Sequence, residues 1–179
     1  MEHRGALLLV GMMGSGKSSV GRLLAARLGF AFIDTDQCVE AAAGRSVARV
    51  FAEDGEARFR ELERQVLAGL PDQRAVVALG GGAVVAAENR ALLRGKGTLV
   101  WLDAQPETLA RRVGDGAGRP LLAGLDPAAR IERLRDLALQ RETAYRQAGL
   151  RVSTDQRTPA QVCDALLAAL AALPTEGPR

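Results

Sequence analysis

Gly11-Met12-Met13-Gly14-Ser15-Gly16-Lys17-Ser18 fills every fixed position of the G-x-x-x-x-G-K-[ST] loop, and its flanks supply the context that loop needs. Upstream, Ala6-Leu7-Leu8-Leu9-Val10 is a short apolar run of the kind that forms a buried parallel strand. Downstream, Val20, Leu23, Leu24 and Leu28 recur at helical spacing, and Gly29 stands where a helix C-terminus takes a left-handed residue. Strand, glycine loop and helix in that order make a concave anion site from backbone N–H groups and a helix N-terminus. Lys17 then adds charge at the β- and γ-phosphates of a nucleoside triphosphate, and Ser18 supplies an oxygen to Mg²⁺. The alternative is a glycine-rich turn that binds nothing, and it leaves the flanking strand and helix unexplained.

At 179 residues the chain is long enough for one domain with a sizeable core and short for two. Its 47% hydrophobic and 3% aromatic content suits a helix-rich α/β protein packed with Ala, Leu and Val. The net charge of +3 is mild and the basic residues are spread along the chain, unlike the clustered patch and interleaved aromatics of a nucleic-acid reader. Only Lys17 and Lys96 are lysine, so an arginine here is weak evidence of function by itself. Cys38 and Cys163 fit no metal-ligand spacing and read as reduced thiols. His3 stands alone near a terminus expected to fray. The first apolar run is too short for a signal peptide and nothing approaches a membrane span, so a cytoplasmic protein is expected. No apolar stripe is left over to demand a partner, which favours a monomer.

Strand and helix signals alternate along the chain, which predicts a parallel sheet with helices on both faces. Ala31 to Ile33 reads as a second strand ending in Asp34-Thr35-Asp36, and a helix runs to about Ala43 before Gly44. Ser46 caps a short helix that stops at Asp54-Gly55. From Glu56 to Leu70, Phe59, Leu62, Val66 and Leu70 mark one apolar face. Ala75 to Leu79 is a third strand, followed at once by Gly80-Gly81-Gly82. A helix over Ala87 to Arg94, a strand over Thr98 to Leu102 and a helix from Pro106 to Val113 follow. Gly114 to Leu125 has four glycines around Arg119-Pro120 and no apolar periodicity, so it is expected to be exposed and mobile. Asp126-Pro127 opens a long helix to about Ala148, Leu150 to Ser153 is a fifth strand, and Thr158-Pro159 opens the last helix to about Leu173. Residues 174–179 read as a disordered tail.

In open parallel sheets ligands bind beyond the carboxyl ends of the strands, where Lys17-Ser18, the Asp34/Asp36 pair and Gly80 to Gly82 all fall. One aspartate can serve the metal while the other hydrogen-bonds an acceptor hydroxyl. Asp36 could instead merely cap the helix that follows it, which would leave Asp34 unexplained. Asp34 is assigned to the metal, and Asp103, at the end of another strand, is set aside. Three consecutive glycines exceed what a tight turn needs and suggest a ligand lying against bare peptide N–H groups. The bland alternative for Arg60 is a simple surface ion pair with Glu63, worth little. Arg141 falls within the inward stripe of Leu134, Leu137, Ala138 and Tyr145, and a fixed cation there needs an anion. Arg60 and Arg141 together could clamp a carboxylate by bidentate bonds. Arg119 suits a lid arginine that swings onto the transferring phosphate.

This combination resembles the shikimate kinase family, whose landmarks are G-x-x-G-x-G-K-[ST], D-T-D, F-R-x-x-E, G-G-G and R-P-L. Here they are Gly11 to Ser18, Asp34-Thr35-Asp36, Phe59-Arg60-Glu61-Leu62-Glu63, Gly80-Gly81-Gly82 and Arg119-Pro120-Leu121, in order across residues 6 to 173. The resemblance implies a P-loop NTPase fold like that of nucleoside monophosphate kinases, with a five-stranded parallel sheet. It implies a single domain over 1–173, with a substrate-binding segment at 34–63 and a lid at 114–125. The implied reaction is ATP-dependent, Mg²⁺-assisted phosphorylation of the 3-hydroxyl of shikimate, a step of chorismate and aromatic amino-acid biosynthesis. Asp36, Arg60, Arg141 and Gly81 of the Gly80 to Gly82 run would bind shikimate, with Asp36 orienting the attacking hydroxyl. Gly14, Ser15, Gly16, Lys17, Ser18 and Ser19 would cradle the phosphates, Ser18 would face Mg²⁺, and Lys17 and Arg119 would stabilise the moving phosphoryl group. Arg112, Arg157 and Pro159 occupy positions that resemble adenine-contacting ones.

Three rivals remain. A gluconate kinase or nucleoside monophosphate kinase of the same fold would lack this set of motifs or need a base-binding acceptor pocket. A regulatory nucleotide-binding module would have lost Asp36 or the lid arginine. A nucleic-acid-binding P-loop protein fits poorly with dispersed charge and few aromatics.

Overall fold

The computed structural model of the chain describes residues 5–116 and 119–172. Five strands, β1 (Ala6–Val10), β2 (Ala31–Asp34), β3 (Ala75–Ala78), β4 (Gly97–Asp103) and β5 (Leu150–Ser153), form one parallel sheet in the order β2-β3-β1-β4-β5. The helices between them are α1 (Lys17–Leu28), α2 (Thr35–Ala43), α3 (Val47–Ala68), α4 (Ala87–Leu93), α5 (Pro106–Val113), α6 (Pro127–Tyr145) and α7 (Pro159–Ala171). The chain leaves β1 for β2 on one side of the sheet order and crosses from β3 past β1 to β4 on the other, so a crevice opens beyond the carboxyl end of β1.

Because β1 is central, its apolar run is buried on both faces, with Leu7, Leu8 and Leu9 all 0% exposed. Alternation divides the run. Leu7 and Leu9 pack with Val20 and Leu24 of α1 and with Val162 and Leu166 of α7. Ala6, Leu8 and Val10 pack on the other face with Leu109 of α5 and Leu134, Leu137 and Tyr145 of α6. Burying each leucine contributes about 2 kcal/mol, so β1 holds its loop on a rigid base. A smaller cluster of Val39, Val50, Phe59 and Leu62 ties α2 to α3.

The helix ends follow their sequence signals. Gly29 and Gly44 adopt left-handed φ of 66° and 68° after α1 and α2, and Ser46 accepts from the Arg49 N–H at the start of α3. Gly55, at φ 81° and ψ 174°, breaks α3 where two helices were expected. Asp126 caps α6, and Thr158 with Gln161 forms a capping box on α7. Some ends shift: α6 stops at Tyr145, three residues short of the expected Ala148, and β4 starts earlier, at Gly97.

Gly97 enters the sheet because nothing larger fits. A β-carbon there would collide with the carbonyl of Ala6 on β1, which is backbone and cannot move aside. Gly97→Ala is expected to destabilise the fold by about 1–3 kcal/mol, read as a lower urea midpoint at unchanged slope.

The described residues of the segment at 114–125 are mostly exposed, as expected, but the segment also carries an apolar anchor. Pro120–Leu122 forms a 3-10 turn whose Leu122 is fully buried in the core face that holds α5 and α6. A single apolar anchor leaves no periodicity to read. Arg130 of α6 adds a staple by donating to the carbonyls of Gly114, Asp115 and Leu125, at both ends of the segment. Residues 117 and 118, His3 and the tail at 174–179 lie outside the described residues.

Candidate active site

A groove of about 710 Å³ runs across the carboxyl ends of β1, β2 and β3 and collects residues from all the singled-out motifs. Gly14 to Ser19, Asp34, Asp36, Arg60, Gly80 to Gly82, Arg112, Arg119, Arg141, Arg157 and Pro159 all line it.

At one end lies the glycine loop. Gly11, Gly14 and Gly16 have positive φ, and a β-carbon on Gly14 would press on the Leu109 carbonyl. Lys17 donates to the carbonyls of Gly11 (2.9 Å) and Met12 (3.1 Å), so its ammonium sits inside the loop's curl. Burial lowers its pKa from 10.5 to about 8, against the opposing pull of Asp36 and with help from Arg119. Phosphates placed beside this ammonium would favour its charged form. ATP binding is therefore expected to take up about one proton near pH 8.5 and almost none near pH 6.5, and to weaken as pH rises past 8. Titration calorimetry in buffers of different ionisation heat checks both, and Lys17→Met should abolish the uptake.

Ser18 Oγ donates to Asp34 Oδ2 at 2.7 Å. Asp34 also caps α2, its other oxygen accepting from the Asp36 N–H at 3.2 Å. The capping role suggested for Asp36 thus belongs to Asp34, and the Asp36 carboxylate is left facing the groove. Asp36 is open to the groove yet closely surrounded by protein, and that desolvation raises its pKa, partly opposed by Lys17. Asp103 is turned away into an ion pair with Arg151 at 2.6 Å. Among the described residues no cluster of three or more His, Cys, Asp or Glu could cage a metal. One hydroxyl beside one carboxylate suits Mg²⁺ that arrives with phosphates and keeps most of its waters.

At the other end, the three glycines prove to make room for side chains. None has left-handed φ. A β-carbon on Gly80 would stand 2.8 Å from Asp36 Oδ1 and 3.2 Å from Glu63 Oε1. On Gly81 it would stand 3.1 Å from Arg141 Nη1, and on Gly82 3.1 Å from both terminal nitrogens of Arg60. The triplet lets two carboxylates and two guanidinium groups converge on a single turn. Beyond the ligand expected against bare peptide, the glycines make room for these side chains.

Arg141 is 8% exposed, donates to the thioether of Met12 at 3.8 Å and lies within hydrogen-bonding reach of the Tyr145 hydroxyl. No carboxylate of the described residues pairs with it. A buried cation without a counter-ion among the described residues suits this end of the groove to an anion. Arg60, by contrast, is gripped by Glu56 (2.9 Å) and by Glu63 (3.0 Å). Glu63 is only 2% exposed, so this is no surface pair. Removing Arg60 would strand the buried Glu63 carboxylate, whereas Arg60 without Glu63 would stay partly exposed and paired with Glu56.

At the groove's outer end Arg112 bonds the Thr154 hydroxyl (2.8 Å) and carbonyl (2.6 Å) and the Gly14 carbonyl (3.3 Å), and Arg157 bonds the Ser153 carbonyl (3.2 Å). Both shape the wall between the glycine loop and the start of α7. Several supporting residues went unread in the sequence. Thr35 accepts from the Gly80 N–H at 2.9 Å, Tyr145 donates to the Gly81 carbonyl at 2.5 Å, and Asn89 donates to Glu63 at 3.4 Å and to the Ala83 carbonyl at 2.8 Å. Tyr145 showed only as an apolar-face residue, whereas Asn89 carried a signal, lying one helical turn before buried Leu93.

The model of the family described as "Shikimate kinase" matches residues 13–171. A shikimate kinase of Symbiobacterium thermophilum is 53% identical over 156 residues, covering 85% of this chain and 88% of that protein. Among solved structures, a shikimate kinase from Acinetobacter baumannii in complex with shikimate is 34% identical, covers 96% of this chain and 95% of its own, and has a TM-score of 0.88. A gluconokinase from Sinorhizobium meliloti, 21% identical with TM-score 0.57 over 93% of this chain and 91% of its own, shares the fold alone.

Proposed function

The chain belongs to the shikimate kinase family, and from that premise we propose that this groove transfers the γ-phosphoryl group of ATP to the 3-hydroxyl of shikimate. The products are shikimate 3-phosphate and ADP, a step of chorismate and aromatic amino-acid biosynthesis. The observation that carries the assignment is the acceptor end, where Asp36, Arg60 and an unpaired, buried Arg141 meet at the glycine triplet. A small acid with hydroxyl groups matches that set: its carboxylate lies between the two guanidinium groups and its ring hydroxyls lie against Asp36.

On the donor side Gly14 to Ser19 receive the phosphates, while Arg112, Arg157 and Pro159 flank the adenine. Ser18 and Asp34 would hold Mg²⁺, which would supply charge neutralisation to the phosphates. Lys17 and Arg119 hold the charge of the transferring group. Asp36 orients the acceptor hydroxyl, whose oxygen bonds to the γ-phosphorus as the bond to the β,γ-bridging oxygen breaks. The hydroxyl proton passes to Asp36. The raised pKa of Asp36 fits that exchange, since a more basic carboxylate accepts the proton more readily. The 114–125 segment with Arg119 acts as the lid and 34–63 as the acceptor-binding part of a single domain.

The enzyme is proposed to act as a cytoplasmic monomer, without membrane or nucleic-acid partners. Among the described residues only Val85, Leu121 and Leu139 are exposed large hydrophobics, too few for an obligate interface, and no helix is long and apolar enough to cross a membrane. The test is ADP release with shikimate, gluconate, AMP or no acceptor. Turnover is expected with shikimate alone, and equal turnover with gluconate or AMP would overturn the assignment.

A further inference from the structure

Asn89 is 2% exposed and lines no part of the groove, and yet both of its hydrogen bonds among the described residues run to the groove's supports. Its amide nitrogen donates to Glu63 Oε2, the carboxylate that grips Arg60 at 3.0 Å, and to the carbonyl of Ala83, which directly follows the glycine triplet. One side chain therefore spans the two structures against which the Arg60 guanidinium rests: its counter-ion on α3 and the turn at Gly82. The next residue, Arg90, extends the grip to the carbonyls of Val84 (2.9 Å) and Val85 (2.6 Å).

The amide is also incompletely satisfied. Asn89 Oδ1 is buried and without a hydrogen-bond partner among the described residues. A leucine of similar size would fill that space without leaving an oxygen unpaired, so core packing alone does not call for asparagine. What leucine lacks is the pair of donors. Flipping the amide would point its oxygen at the Glu63 carboxylate and at a carbonyl, so the donors are fixed in their direction.

Resting on the shikimate assignment above, we propose that Asn89 is a positioning residue for the acceptor carboxylate. It holds Glu63 and the glycine turn in the register that aims Arg60 into the groove. It touches neither substrate, and its effect passes through Glu63 and Ala83. The donor side has no contact with it, so the consequence is confined to the acceptor.

Steady-state kinetics of Asn89→Leu, alongside wild type, test this. The expected result is a shikimate KM raised about tenfold, with the KM for ATP within about twofold and kcat less affected than KM. Placed in an Arg60→Lys background, Asn89→Leu should add little further change, because the two act as one unit. Asn89→Thr, which keeps one donor, should fall between leucine and wild type. If the leucine variant does not fold, the threonine variant decides: a shikimate KM raised about threefold with ATP unaffected supports the role. A shikimate KM indistinguishable from wild type in whichever variant folds overturns it, as does a full additional loss in the Arg60→Lys background. Wild type that ignores shikimate would instead bring down the acceptor assignment, which separates the two failures.

Discussion

Asp36→Asn is expected to lower kcat by about 10²–10⁴-fold while ATP affinity stays within about threefold of wild type. The substitution keeps the shape and one acceptor oxygen but removes the charge that draws the hydroxyl proton. Asp34, which caps α2 and faces Ser18, is untouched, so the local backbone should hold. Loss of a carboxylate near Lys17 also removes one influence that favours the charged ammonium, which accounts for the small change allowed in ATP binding. Single-turnover rates with equilibrium ATP titration separate the two effects. A wild-type rate in this variant would remove Asp36 from the hydroxyl-orienting role.

Lys17→Met is expected to damage both halves of the cycle, weakening ATP binding by roughly tenfold and slowing transfer by about 10²-fold or more. The ammonium faces phosphate in the bound state and developing charge in transfer, so its loss is felt in both. Part of the cost is structural, because Lys17 also ties the carbonyls of Gly11 and Met12. ATP titration and single-turnover transfer read the two effects. A variant that binds ATP normally and loses only rate would show that Lys17 acts on the transition state alone.

The donor half of the site was legible because its residues are contiguous. Strand, loop and helix fall within Ala6 to Leu28, and local rules of burial, φ and capping act over a few residues. Asp34 and Asp36 were legible as a pair but not in their division of labour, since which one caps α2 depends on backbone geometry at a single residue. The glycine triplet was recognised as a close approach, but what approaches comes from α2, α3 and α6, far along the chain. Glu63 passed for a surface partner because helical spacing alone does not say which side of α3 meets the sheet. Asn89 lies 26 residues from Glu63, and Tyr145 lies 64 from Gly81. Tertiary packing makes those contacts, and no local pattern announces them. Leu122 was lost for the opposite reason, one buried anchor in a glycine-rich stretch having no period to detect.

The central claim is that the glycine loop and the Asp36, Arg60 and Arg141 cluster act on two substrates held in one groove. Phosphorus and proton NMR of the product formed from ATP and shikimate tests it most directly. The account predicts one phosphate ester per ADP released, with its phosphorus coupled to the proton on carbon 3 of shikimate. Phosphate on another hydroxyl, or ADP release that leaves shikimate unmodified, would contradict it.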